Sequence, residues 1–152
     1  NDRITIIILT KGNSRRLEIA DAVVDILHHR PYTPPRLSIA PTLMTVIKEK
    51  GVDSAIVLYN RLRMTEPNAY DFGEGELNGL GYALLGMGDA AGAIRIFELN
   101  AQQYPESPNV FDSLGDAYAR ANRRDDARKA YSRTLELDPA NANTRAKLQK
   151  LK

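Results

Sequence analysis

The chain has 152 residues, a formal net charge of +2, 43% hydrophobic and 26% charged side chains, and no cysteine. This is the balance of a globular protein, and the charge is too small to argue for nucleic acid or a membrane surface as a partner. Disulfides, thiol nucleophiles and cysteine metal sites are excluded, and no apolar run approaches the roughly 18 residues of a membrane span.

The chain begins at Asn1 without a Met, which reads as a processed or excised piece of something longer. Residues 3–10 are dense in β-branched side chains of both parities and predict a strand buried on both faces. The run Ile6–Leu9 within it is too short for a signal-peptide core. Lys11-Gly12-Asn13 breaks the strand, and Ser14 is a candidate N-cap for a helix to about Arg30. Leu17, Ala20, Val23, Val24 and Leu27 give that helix one apolar stripe. Pro31, Pro34 and Pro35 then form a linker that no helix crosses, so a boundary is placed after residue 36.

Beyond it every segment reads as helical and none as a strand. Hairpins are predicted over about 39–50 with 53–64, 74–87 with 90–103, and 108–121 with 124–137, followed by a short helix over about 142–151. A shift of 34 residues superimposes Leu77 on Phe111, Leu80 on Leu114, Gly81 on Gly115 and Leu84 on Tyr118. The same shift places Ala93 on Ala127, Phe97 on Tyr131 and Pro105 on Pro139. The small residues allow close helix approach, the rings fill the space between helices, and the prolines stop the second helix of each pair.

This register resembles the tetratricopeptide repeat: aromatic, Leu-Gly, Tyr, Ala, aromatic and Pro in order. The expected fold class is all-α, a short solenoid of helical hairpins with an amino-terminal strand and helix left from an upstream domain. Residues 74–107 and 108–141 are the repeats, and 142–152 are a capping helix with Leu148 on its apolar face. Residues 37–73 are a degenerate repeat, in which Ala55, Tyr59 and Pro67 align with Ala93, Phe97 and Pro105 at a 38-residue shift.

The resemblance implies a module that holds another protein surface and does no catalysis, with the first helix of each pair lining a concave groove. The groove residues would be Asn78, Tyr82 and Leu85, then Asp112, Asp116 and Arg120, with Lys150 on the cap. The family members that clamp peptide carboxylates use Lys, Arg and Asn at such positions. Here the central pair is acidic, so a basic or apolar segment is expected, anchored on Tyr82. Asp112 and Asp116 also read as a solvated helix face supported by Arg120. Another domain of the same protein would serve as partner equally well.

Residues 4–13, the helix 17–27 and the segment 30–35 resemble the last core strand and carboxyl-terminal helix of serine β-lactamase-like hydrolases, the class-C and penicillin-binding group. That would make the chain the end of a bacterial, periplasmic or secreted enzyme. The chemistry of that family needs Ser-x-x-Lys, Tyr-x-Asn and a Lys-Thr-Gly triad. None of the six serines has Lys three residues on, and Thr10-Lys11-Gly12 is in the wrong order. The catalytic residues would therefore lie upstream. A lone strand needs a pairing partner, which gives a third reading, self-association into a homodimer through residues 3–10.

His28 and His29 are adjacent and point about 100° apart on a helix, a poor shared metal site. The glycines at 73, 75, 79, 81, 86 and 88 follow no strand and fit no nucleotide spacing. No cofactor or metal is expected.

Overall fold

The computed structural model describes residues 16–32 and 34–151. The predicted strand 3–10 and the Ser14 cap lie outside the described residues. The chain divides into two compact units, Asn1–Leu37 and Ser38–Lys152.

In the first unit, α1 spans Arg16–Leu27. It stops three residues short of the predicted end because His29 adopts a positive φ of 52°. Arg30 then turns back to pair with Asp25 at 2.8 Å.

The second unit is built from α2 (Ala40–Lys50), α3 (Val52–Thr65), α4 (Glu74–Gly86), α5 (Ala90–Gln103), α6 (Pro108–Arg120), α7 (Arg124–Leu137) and α8 (Ala142–Lys150). Each even–odd pair up to α7 is an antiparallel hairpin. The first helices stack on one another, α2 on α4 and α4 on α6, while α3 stacks on α5 and α8 covers α7. The prolines act as the sequence suggests: α3, α5 and α7 end at Thr65, Gln103 and Leu137, each two residues before Pro67, Pro105 or Pro139. Pro108 instead opens α6, where its missing N–H has no intrahelical acceptor to lose.

One expectation is corrected. The region beyond the linker does contain strand pairing: β1 (Leu37–Ser38) and β2 (Tyr70–Asp71) form a two-stranded sheet. Each strand is only two residues long, too short to leave a period-two signal. The pairing closes the degenerate hairpin at its open end, opposite the turn at Gly51. There Glu76 of α4 accepts from the Ser38 hydroxyl at 2.5 Å and from the Ala40 N–H at 3.2 Å. It caps α2 from a neighbouring helix, since the N-cap residue Ile39 offers no side-chain acceptor.

The core follows the repeat register. Leu77, Leu84, Ala93, Ile96 and Phe97 of the first repeat are buried, as are Val110, Ala117, Ala127 and Tyr131 of the second. Tyr59 and Leu43 extend the core into the degenerate hairpin, where Tyr59 meets the edge of Phe72 at 5.4 Å. Gly81 is required by the ring above it, because a Cβ there would lie 2.5 Å from Phe97. Gly115 stands in the same relation to the Tyr131 ring.

Candidate functional site

The groove expected from the sequence lies on α4, α6 and α8. Tyr82 of α4 is 40% exposed. Its ring packs edge-on against Phe97, with centroids 5.2 Å apart and planes at 74°, so the side chain is held upright by the core beneath it. One turn on, Leu85 is almost fully covered, at 7% exposure. Asn78, one turn before Tyr82, is half-buried, and its side-chain oxygen has no hydrogen-bond partner among the described residues.

Asp112 and Asp116 are one turn apart on α6 and face the same cation, Lys147 of α8. The ammonium lies 2.8 Å from Asp112 Oδ2 and 2.7 Å from Asp116 Oδ1. The three side chains are 26%, 17% and 25% exposed, in the order Lys147, Asp112, Asp116. Hydroxyl donors complete the node. Thr144 donates to Asp112 Oδ1 at 2.5 Å, Tyr131 to Asp116 Oδ1 at 2.7 Å and Tyr82 to Asp116 Oδ2 at 3.0 Å. Tyr82 also lies 3.2 Å from Ser113 Oγ. Four helices, α4, α6, α7 and α8, therefore meet at one charged cluster.

The electrostatics follow from that cluster. Burial opposes the charge on Lys147, but hydrogen bonds and attraction from Asp112 and Asp116 outweigh it and raise the ammonium above its ordinary value. Burial pushes the Tyr131 hydroxyl up strongly, and its bond to Asp116 adds to the effect. Tyr82 is raised as well, by burial first, against the opposing Ser113 contact. The tyrosines are thus fixed as neutral donors and Lys147 as a cation at neutral pH.

This arrangement changes the expected groove. Asp112 and Asp116 are neither a free acidic patch nor a solvated face held by Arg120; Lys147 holds them. Arg120 and Lys150 are exposed and make no ion pair among the described residues. Four of the expected residues do converge on an open cavity of about 480 Å³. Tyr82, Leu85 and Gly86 line it from α4, Asp116, Ala119 and Arg120 from α6, and Tyr131 from α7. Asn78, Asp112 and Lys150 are not part of its lining.

Sequence reasoning missed Lys147, Thr144, Tyr131 and Ser113 as members of the site. A signal for them existed. Side chains on neighbouring first helices meet at a separation of 31 residues, seen in Tyr82–Ser113 and again in Asp116–Lys147. The 34-residue register instead pairs Asp116 with Lys150.

Residues 108–141 match the family model of the tetratricopeptide repeat. No curated protein matches the chain. Among solved structures, the chain is similar to the second TPR domain of human RPAP3 in complex with the HSP70 peptide SGPTIEEVD. That match has 18% identity and a TM-score of 0.53 over 75% of this chain and 92% of the other. The first TPR of Spaghetti (RPAP3), bound to the HSP90 peptide SRMEEVD, matches at 20% identity and a TM-score of 0.52, over 74% of this chain and 86% of that one. MamA from Desulfovibrio magneticus RS-1 matches at 16% identity and a TM-score of 0.51, over 74% of this chain and 62% of that one. The fold is an all-α, tetratricopeptide-type hairpin solenoid. None of these matches extends the hydrolase resemblance of residues 1–36.

Proposed function

We propose that this chain is a protein-interaction module that seats an extended segment of a partner in the groove between α4 and α6, with no catalysis in this part of the protein. The observation that carries the reading is the 480 Å³ cavity beside Tyr82, lined by apolar Leu85, Gly86 and Ala119 over a pre-built polar node. An apolar side chain entering it would bury its area against rigid neighbours, the arrangement that concentrates binding energy at interfaces. The tyrosine is already ordered by Phe97 and Asp116, so it loses little freedom on binding. The RPAP3 domains with this fold are bound to HSP90 and HSP70 peptides, which supports such a use.

The sequence expectation of a basic or apolar partner divides here. The apolar half rests on the cavity. A basic residue would have to displace Lys147 from Asp112 and Asp116, so the acidic pair gives it no open seat. The partner is a separate protein or another domain of the same one.

The test is selection from a phage-displayed library of random dodecapeptides on immobilised protein. Enriched clones should lose most of their retention on Ala119→Phe, which fills the cavity from a residue that makes none of the node's hydrogen bonds, and on Tyr82→Ala. Failure to enrich any family of clones, or retention equal on all three proteins, would remove the groove as the binding surface. Folding of each variant is checked by far-UV circular dichroism and by the urea midpoint. The alternative, an appendage of a serine hydrolase, rests on the pattern of residues 4–35. A Ser-x-x-Lys motif encoded in the few hundred residues upstream of Asn1 would support it, and its absence there would end it.

A further inference from the structure

One carboxylate joins two walls of the cavity. Asp116 Oδ2 accepts from Tyr82 of α4 at 3.0 Å, and Asp116 Oδ1 accepts from Tyr131 of α7 at 2.7 Å. Both tyrosines line the cavity, as does Asp116 itself. The direction of each hydroxyl therefore depends on how the plane of that carboxylate is set. Lys147 sets it from α8, with its ammonium 2.7 Å from Oδ1 and 2.9 Å from Oδ2, and each oxygen keeps a lone pair for one tyrosine. The same ammonium answers Asp112 at 2.8 Å. One cation against two carboxylates leaves the node net negative. Without Lys147 the two would repel across one helical turn, and Asp116, a quarter exposed, has water to turn to.

The control comes from outside the cavity, since no residue of α8 lines it. That helix is also attached largely by polar contacts. Thr144 is the one residue of α8 that is fully buried, and its hydroxyl goes to Asp112 at 2.5 Å. Leu148 and the following Leu151 are only partly covered. An element held by so little apolar area is among the first to open.

We infer that Lys147 is a positioning residue for the groove: acting through Asp116, it holds Tyr82 and Tyr131 in the arrangement that accepts the partner, so that seating of the partner and docking of α8 favour each other. The inference rests on the groove reading above and adds its regulation from a neighbouring helix. The coupling is reciprocal, because each event stabilises the same placement of Asp116.

The test compares the wild type with Lys147→Met, Lys147→Arg and Thr144→Val, each checked for folding by far-UV circular dichroism. Dodecapeptides enriched on the wild type, synthesised with a fluorophore, should bind Lys147→Met about tenfold more weakly, within the usual range of coupling between sites. Lys147→Arg keeps a cation on both carboxylates and should restore most of the affinity. Thr144→Val loses a contact with Asp112 but leaves Asp116 held. It should lower the urea midpoint and leave affinity unchanged, a split that a merely structural role for α8 would not give. Saturating peptide should in turn slow amide hydrogen exchange across α8. Equal affinity of wild type and Lys147→Met, an equal loss in Thr144→Val, or exchange across α8 unchanged by peptide overturns the inference and leaves the groove reading standing. A measurement without peptide separates the reverse case, in which no clone is enriched and the groove reading fails. In NMR spectra of isotope-labelled tyrosine rings, the Tyr82 resonances should shift in Lys147→Met and return in Lys147→Arg. Tyr82 resonances indifferent to Lys147→Met overturn the positioning role on their own.

Discussion

The repeats 74–107 and 108–141 share one backbone plan and are held together by different chemistry. In the first, the ring beneath the groove is Phe97, and the second helix buries Ile94, Ile96 and Leu99 around it. In the second, the equivalent ring is Tyr131, whose hydroxyl reaches Asp116, and polar Ser113 and Thr134 are buried beside it. Buried polar residues at matching positions do the same task in both. Asn100 donates to the Glu74 carbonyl at 3.1 Å and Thr134 to the Pro108 carbonyl at 3.3 Å, each tying the second helix to the start of the first. Thr134 has a second acceptor in Ala130, whereas Asn100 keeps a buried oxygen with no partner among the described residues. The contrast teaches that the register fixes where groups meet but not what joins them. An array can run from an apolar interior to a polar node within one repeat length and place its charge where the last helix docks.

The sharpest break of that comparison is Phe97→Ala. It removes the ring between Gly81 and Tyr82 and should cost about 3–5 kcal/mol, read from urea unfolding. Gly81 should then tolerate Ala, because the clash that forbids a Cβ there is with the same ring. In the second repeat the corresponding test is Lys147→Met, which leaves two partly covered carboxylates facing each other. Complete burial of such an uncompensated charge would cost more. With these groups about one-fifth exposed, a loss of about 2 kcal/mol is expected. Asp112→Asn should recover part of it, since one of the two repelling charges is gone.

A smaller effect separates the repeats by pH. Tyr82, Tyr131 and Lys147 all hold their protons more tightly in the fold, from starting values of 10.0 for the tyrosines and 10.5 for the lysine. Raised values mean that the stability they contribute is whole below about pH 10. It is lost as pH climbs through that range toward the folded values. Unfolding midpoints should therefore be level through neutrality and fall above about pH 10. Tyr131→Phe should lower the neutral midpoint by about 1 kcal/mol and make the alkaline fall shallower. A variant with an unchanged alkaline slope would show that Tyr131 does not carry this sensitivity.

Much of the fold was legible because the repeat uses residues that allow few alternatives: Gly where a ring presses, Pro where a helix must stop. Side-chain partners were less legible. Asp112 and Asp116 stood out as a pair, but the cation that joins them lies on the next first helix, at offsets of 35 and 31 residues. Strict register pointed to Lys150 instead: the 34-residue offset does bring Tyr82 onto Asp116, but the acidic pair meets its cation at other offsets. The cap on α2 was hidden for a related reason: Glu76 supplies it from 36 residues away, and no local capping residue marks the helix start. The two-residue strands gave no periodicity at all.

The smallest test concerns the turns. Gly88 and Asn122 occupy the same register position, both in the left-handed region, with φ of 85° and 58°. Glycine enters that region freely, and asparagine is the side-chain-bearing residue that does so at least cost. Exchanging them should therefore be asymmetric. Asn122→Gly should change stability by no more than about 0.5 kcal/mol, as relief of the left-handed backbone is offset by extra freedom in the unfolded chain. Gly88→Asn should destabilise slightly, and Gly88→Val by more than 1 kcal/mol, since a β-branched residue fits the left-handed region poorly. No heavy atom lies within 4 Å of the place a Cβ would take at Gly88, so backbone strain and not a clash would be measured. If Gly88→Val were as stable as the wild type, the turn would have to rearrange without loss. The two repeats would then differ in turn chemistry as they already differ in the way their helices are joined.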